Sequence, residues 1–127
     1  MRYRPLGRTG LRVSELGFGC GAVGGILVRG EPRTATRVVE RAIELGINYF
    51  DTARIYGDGA SEANLGLALR ELRADVLVGT KVRLAAAEME RIHEAIMESV
   101  EGSLRRLGRE YVDLIQLHNA VGLQRQP

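Results

Sequence analysis

Four short apolar runs recur along the chain, LGFGC (16–20), INYF (47–50), DVLVGT (75–80) and VDLIQL (112–117), and the segments between them read as helix. Each step is about 30 residues, the length of a strand–helix–strand unit. The first helix spans 34–45, where Val38, Ala42 and Leu45, with Val39 and Ile43 beside them, form an apolar stripe at helical spacing. Gly46 follows as a residue suited to leave the helix in a left-handed conformation. Ser61 is placed to cap a second helix over 62–72, which carries Leu65, Leu69 and Leu72 on one face. A third, over 88–107, sets Met89, Ile92, Ile96, Val100, Leu104 and Leu107 on its core side and stops at Gly108. Such alternation predicts βαβαβαβ, a parallel sheet with helical crossovers. The runs are nearly continuous in apolar residues, as strands covered on both faces should be. Ahead of them, RYRPL and LRVSE flank the turn GRTG and read as a β-hairpin, and the tail after 117 carries no further element.

The 127 residues suffice for one domain with a modest core, and 45% apolar with 27% charged residues is ordinary for a globular chain. The net charge is +2, and arginines are interleaved with glutamates, as in VVERAIE and MERIHEAIMESVE. That is a solvated surface. A nucleic-acid surface gathers charge on one face beside stacking aromatics, and aromatics here are 5%, so no nucleic-acid partner is expected. The single cysteine, Cys20, leaves no intrachain disulfide and fits a reducing compartment. No apolar stretch follows the basic N-terminus, and none approaches the roughly 20 residues of a spanning helix. These features predict a cytoplasmic protein without membrane contact.

Seventeen of the eighteen Lys and Arg residues are arginine; the exception, Lys81, directly follows DVLVGT. INYF is likewise followed by Asp51, and VDLIQL by His118. In a parallel sheet the strand exits share one rim, where ligand sites form. Singly, each residue has an ordinary reading: a loop aspartate, a surface lysine, a half-buried histidine. At three successive exits they form a constellation, and Tyr56, in the loop ARIYGDGA (53–60), emerges on the same rim. A phenol has a reference pKa near 10, so it trades protons poorly at neutral pH unless a nearby cation favours the phenolate. A carboxylate keeps such a cation charged and placed, and an imidazole can hold a carbonyl by hydrogen bond. The set predicts general-acid chemistry on C=O. It asks for a compact ammonium rather than arginine's broad fork. A Schiff-base aldolase is the rival enzyme, disfavoured because Asp51 holds the amine charged. GCGAVG (19–24) matches G-x-G-x-x-G, but GILVRGEPR intervenes before any helical stripe, so it reads as a flexible strand–helix loop.

PLGRTGLRVSELGFGC, ELGINYFDTARIYGDGASEANLG, VGTKV and SVEGSLRRLGREYVDLIQLH, in that order, resemble four segments of the aldo-keto reductase superfamily. They correspond to its opening hairpin and first strand, its signature segment, its lysine strand, and its third helix with the histidine strand. The resemblance implies a (β/α)8 TIM barrel that uses NADP or NAD to reduce an aldehyde or ketone, or to oxidise an alcohol or aldose. It implies Tyr56 as general acid, Lys81 easing its proton release, Asp51 supporting Lys81, and His118 orienting the carbonyl. Gly19, Cys20 and Gly21, with Asp51, would lie at the nicotinamide end of the cofactor, and no metal is implied. The implied partner is a small carbonyl compound or sugar. Asn48 stands where many members carry arginine. A barrel of this kind takes about 250 residues. The expectation for residues 1–127 is therefore a single partial domain, the first half of a barrel stopping after its fourth strand. Its first and fourth strands should be open edges. The alternative is a non-catalytic reductase-like fragment or regulatory subunit without most of the cofactor site.

Overall fold

The structure, a computed structural model, describes residues 1–120. Its elements are β1 (Tyr3–Pro5), β2 (Arg12–Ser14), β3 (Phe18–Gly19), α1 (Ile26–Arg29), α2 (Pro32–Glu44), β4 (Tyr49–Asp51), α3 (Ala60–Leu72), β5 (Leu77–Val82), a 3-10 turn (Ala86–Arg91), α4 (Ile92–Leu107) and β6 (Leu114–Leu117). β1 and β2 form an antiparallel hairpin, and β3-β4-β5-β6 form a parallel sheet in chain order. The expected hairpin and alternating α/β architecture are both present. The tail beyond 120 lies outside the described residues.

The core fills the space between the sheet and its helices. Phe50 and Val78 from the strands meet Leu27, Val39, Leu65 and Leu107 from the helices, all buried. Burying each such side chain contributes roughly 1.5–3 kcal/mol. The hairpin is fastened to the strand-entry end. Asn48 Oδ1 accepts from the Ser14 amide at 2.7 Å, and its Nδ2 donates to the Arg12 carbonyl at 2.9 Å. The Asn48 amide donates to Ser14 Oγ at 3.1 Å, and the Tyr3 hydroxyl to the Gly46 carbonyl at 2.9 Å. Asn48 is thus a joint between hairpin and sheet.

Several boundaries differ from expectation. α2 begins at Pro32, because proline is pre-shaped for the first helical position and needs no amide partner there. The short α1 lies in a stretch that the sequence presents as loop. Ser61 is not a cap: Gly59, at φ 93°, takes that place, and Ser61 lies inside α3. Its buried hydroxyl donates to the Cys20 carbonyl at 2.8 Å and is 2.8 Å from Thr52 Oγ1. The segment 86–91 is a 3-10 turn, and the regular helix starts at Ile92.

The stripe expected on α4 is only partly inward: Leu107 is buried and Ile96, Val100 and Leu104 are half-buried. Met89 and Ile92 are exposed, while the buried residues are Ala95, Gly102, Ser103 and Leu107. α4 comes close to α3 near Leu107, and small residues, Gly102 and Ser103, are buried beside it. A Cβ on Gly66 would run into the Leu107 backbone carbonyl. At this junction Glu62 of α3 is fully buried; it accepts from Arg106 Nε of α4 at 2.6 Å and from Thr80 Oγ1 of β5 at 2.6 Å.

β3 and β6 are the outer strands, and β6 leaves Ile115 and Leu117 exposed. Among the described residues no further strand pairs with either of them. No helix among the described residues is long and apolar enough to cross a membrane.

Candidate active site

Side chains on a strand alternate between faces, and that rule builds the site. Asp51 ends β4, Lys81 is the penultimate residue of β5, and His118 follows β6. Lys81 is therefore still in the ladder, opposite Gln116, rather than in the loop after the strand. Its Nζ donates to Asp51 Oδ2 at 2.5 Å and to the Thr52 carbonyl at 2.9 Å. Lys81 is 8% exposed, and an ammonium so buried requires such acceptors.

Tyr56 sits in the tight turn after β4, whose Gly57, Asp58 and Gly59 all have positive φ. Its amide donates to the Ala53 carbonyl at 3.1 Å, and its own carbonyl accepts from the Ser61 amide at 3.2 Å. Lys81 Nζ lies 5.0 Å from the centre of the Tyr56 ring. The His118 ring meets that ring edge-on, with centroids 5.8 Å apart and planes at 89°. The amide of His118 is fixed by the Val82 carbonyl at 2.7 Å, and its Nδ1 has no partner among the described residues. Asp51, Tyr56, Lys81 and His118 thus converge at one end of the sheet.

Gly19, Cys20 and Gly21 border the same end. The Cys20 amide donates to the Asp51 carbonyl at 2.9 Å, and a Cβ on Gly21 would touch the Tyr56 ring at 3.7 Å. Gly19 has open space where a side chain would stand. The Cys20 side chain instead belongs to the core, where burial and then the Asp51 charge push its thiol up to about 12. Cys20 consequently presents backbone rather than sulfur to this rim. The three exit loops also border a half-open pocket of about 580 Å³ lined by Arg54, Ile55, Arg83, Leu84 and Asn119, among others, which none of the four converging residues lines. A larger groove of about 710 Å³ runs along the flank of α2, past Phe18, Val38 and Leu45, and none of the four converging residues lines it.

Two side chains in this cluster carry no signal as polar residues at strand exits. Gln116 Nε2 donates to Asp51 Oδ1 at 3.0 Å, and the Tyr49 hydroxyl donates to the same oxygen at 3.3 Å. Both stand two residues before a strand-end group, Gln116 before His118 and Tyr49 before Asp51. The period of two would have placed them on the same face.

The model of the aldo/keto reductase family matches residues 15–122. L-galactose dehydrogenase of Arabidopsis thaliana is 38% identical over 122 residues, covering 94% of this chain and 38% of that protein. The structure superimposes on the holo form of aldo-keto reductase AKR11C1 from Bacillus halodurans with a TM-score of 0.77 at 38% identity, covering 95% of this chain and 41% of that one. It superimposes on an aldo-keto reductase from Klebsiella pneumoniae in complex with NADPH with a TM-score of 0.68 at 29% identity, covering 90% of this chain and 38% of that one. The chain therefore spans about two fifths of the length of the relatives it matches. With its hairpin and four parallel strands matching part of a TIM barrel, the chain belongs to the aldo/keto reductase family.

Proposed function

We propose that this chain carries the proton-transfer site of a carbonyl reductase that uses NADPH or NADH. The observation that carries the reading is the placement of the Lys81 ammonium, tied to Asp51, against the face of Tyr56, with His118 at its edge. A bound nicotinamide supplies the hydride; the protein's task is to hold the carbonyl and deliver a proton to its oxygen. Tyr56 donates that proton, and Lys81 stabilises the phenolate left behind. His118 donates a hydrogen bond to the carbonyl oxygen and sets its angle. Asp51 keeps Lys81 charged and aimed. Gly19 and Gly21, with the backbone of Cys20, would hold the nicotinamide end of the cofactor beside Tyr56. The similarity to an NADPH-bound reductase supports NADP as the cofactor, and the similarity to L-galactose dehydrogenase supports a small sugar or aldehyde as substrate. Run in reverse, the same groups oxidise an alcohol or aldose.

The test is a barrel in which this segment is joined to the remaining length of the Bacillus halodurans relative. NADPH-dependent reduction of small aldehydes is expected. Tyr56→Phe should lower kcat by about a hundredfold or more. Lys81→Arg should lose most of the activity despite keeping its charge. Turnover that survives Tyr56→Phe would remove the proton-donor role, and full activity in Lys81→Arg would show that charge alone suffices.

A further inference from the structure

Asp51 uses its two oxygens differently. Oδ2 accepts from Lys81, whereas Oδ1 accepts from Gln116 at 3.0 Å and from the Tyr49 hydroxyl at 3.3 Å. We propose that Gln116 and Tyr49 are positioning residues that lock the Asp51 carboxylate in the orientation presenting Lys81 to Tyr56. The proposal rests on the reductase reading of the four-residue site and adds a supporting layer on its strand-entry side.

Three strands build that layer. Gln116 is the direct cross-strand partner of Lys81, so β6 delivers its amide to the level of the ion pair. Tyr49 comes from the same strand as Asp51, one period earlier on the same face. Gly79, the cross-strand partner of Asp51, leaves room for the phenol; a Cβ there would collide with the Tyr49 hydroxyl. Gln116 Nε2 also reaches the Tyr49 hydroxyl at 3.5 Å, so the two donors brace each other.

The physical need is specific. A carboxylate turns easily about its last torsion, which has broad and shallow wells. Held through one oxygen alone, Asp51 could swing and take the ammonium with it. Hydrogen bonds to an ionised acceptor are the strong ones, and two of them on Oδ1 remove that freedom. Burial first, and then the Asp51 charge, push the Tyr49 phenol up to about 12, so it stays a donor through the neutral range. Gln116 does not titrate, and its amide can supply the second donor at any pH.

Lys81 is the only lysine in the sequence, so a chain carrying 13C-lysine shows one ε-methylene signal, and the geometry can be read without turnover. Gln116→Leu should move that signal towards the position of a free lysine side chain at every pH. Gln116→Glu should move it at about pH 8, where the new group is ionised and can only accept. Gly79→Ala, which evicts the phenol, should move it in the same direction as Gln116→Leu. In the completed barrel, Gln116→Leu should lower kcat roughly tenfold with KM little changed. An unmoved lysine signal in a folded Gln116→Leu chain overturns the proposal. Should that variant fail to fold, Gln116→Glu decides alone: an unmoved lysine signal at about pH 8 overturns the proposal. A moved signal combined with full activity in Tyr56→Phe would sink the reductase reading and leave the clamp standing; the opposite pair of results would sink the clamp alone.

Discussion

Thr80 and Lys81 are neighbours on β5 that face opposite ways, and each meets a carboxylate. On the helix side, Thr80 bonds to one oxygen of Glu62 and Arg106 to the other; Glu62 is fully buried and Arg106 also reaches Ser103 Oγ at 3.3 Å. On the inner side, Lys81 bonds to Asp51, whose side chain remains 30% exposed. In the outer pair both oxygens of the buried Glu62 are spent inside the protein, and three elements are tied together. The inner pair is open on the side where Tyr56 and His118 stand. The difference lies in the carboxylates: that of Glu62 is wholly buried, with only Arg106 reaching solvent, and ties the architecture together, whereas that of Asp51 keeps solvent access beside Tyr56 and His118, where a ligand can meet the pair.

Removing one partner from each pair tests that contrast. The largest effect is expected for Glu62→Ala, which leaves Arg106 and Thr80 without their acceptor; breaking a buried pair this way costs about 3–5 kcal/mol. Urea unfolding reads it directly, and a loss below about 1 kcal/mol would erase the distinction. Lys81→Met should cost only about 1 kcal/mol by the same assay, because Asp51 keeps water, Gln116 and Tyr49 as partners. A collapse comparable to that of Glu62→Ala would make the inner pair architectural too.

The smallest effect concerns the wall between site and core. With its thiol raised from an ordinary 9.0 to about 12, Cys20 should react with iodoacetamide at about pH 8 at least a hundredfold more slowly in the folded chain than in urea. Cys20 and Tyr49 are both raised, so each holds its proton in the folded state after the unfolded chain has lost it. Their contribution is complete below the ordinary values of 9.0 and 10.0 and is lost as the pH climbs to about 12. Melting temperatures should therefore fall across that alkaline window, and a flat profile there would count against the buried placement of both groups.

The parts of this molecule that sequence reveals and hides differ for physical reasons. Asp51, Lys81 and His118 are legible because ionisable groups at the ends of apolar strands are conspicuous. Gln116 and Tyr49 are not, because an uncharged polar residue within a strand looks like any other alternating position until its neighbour across the ladder is known. Ser61 suits a helix cap by type, but its hydroxyl has buried partners on Cys20 and Thr52, and glycine makes the turn instead. On α4 the large apolar residues mark a plausible inner stripe. Its first members, Met89 and Ile92, are nevertheless exposed, while the small Ala95, Gly102 and Ser103 are buried where the backbone of Leu107 presses against Gly66. Periodicity reports which residues are greasy, whereas burial depends on how near the next helix comes.

The rarity of lysine has a further consequence. Every other Lys or Arg side chain in the sequence is a guanidinium, and the one side-chain amine is 8% exposed beside Asp51. Acylating agents, reducing sugars and amine-directed dyes thus have a single side-chain target in this sequence. A mark on lysine here is never a bystander on the surface: it is a mark on Lys81, and it reports that the ammonium has left its carboxylate.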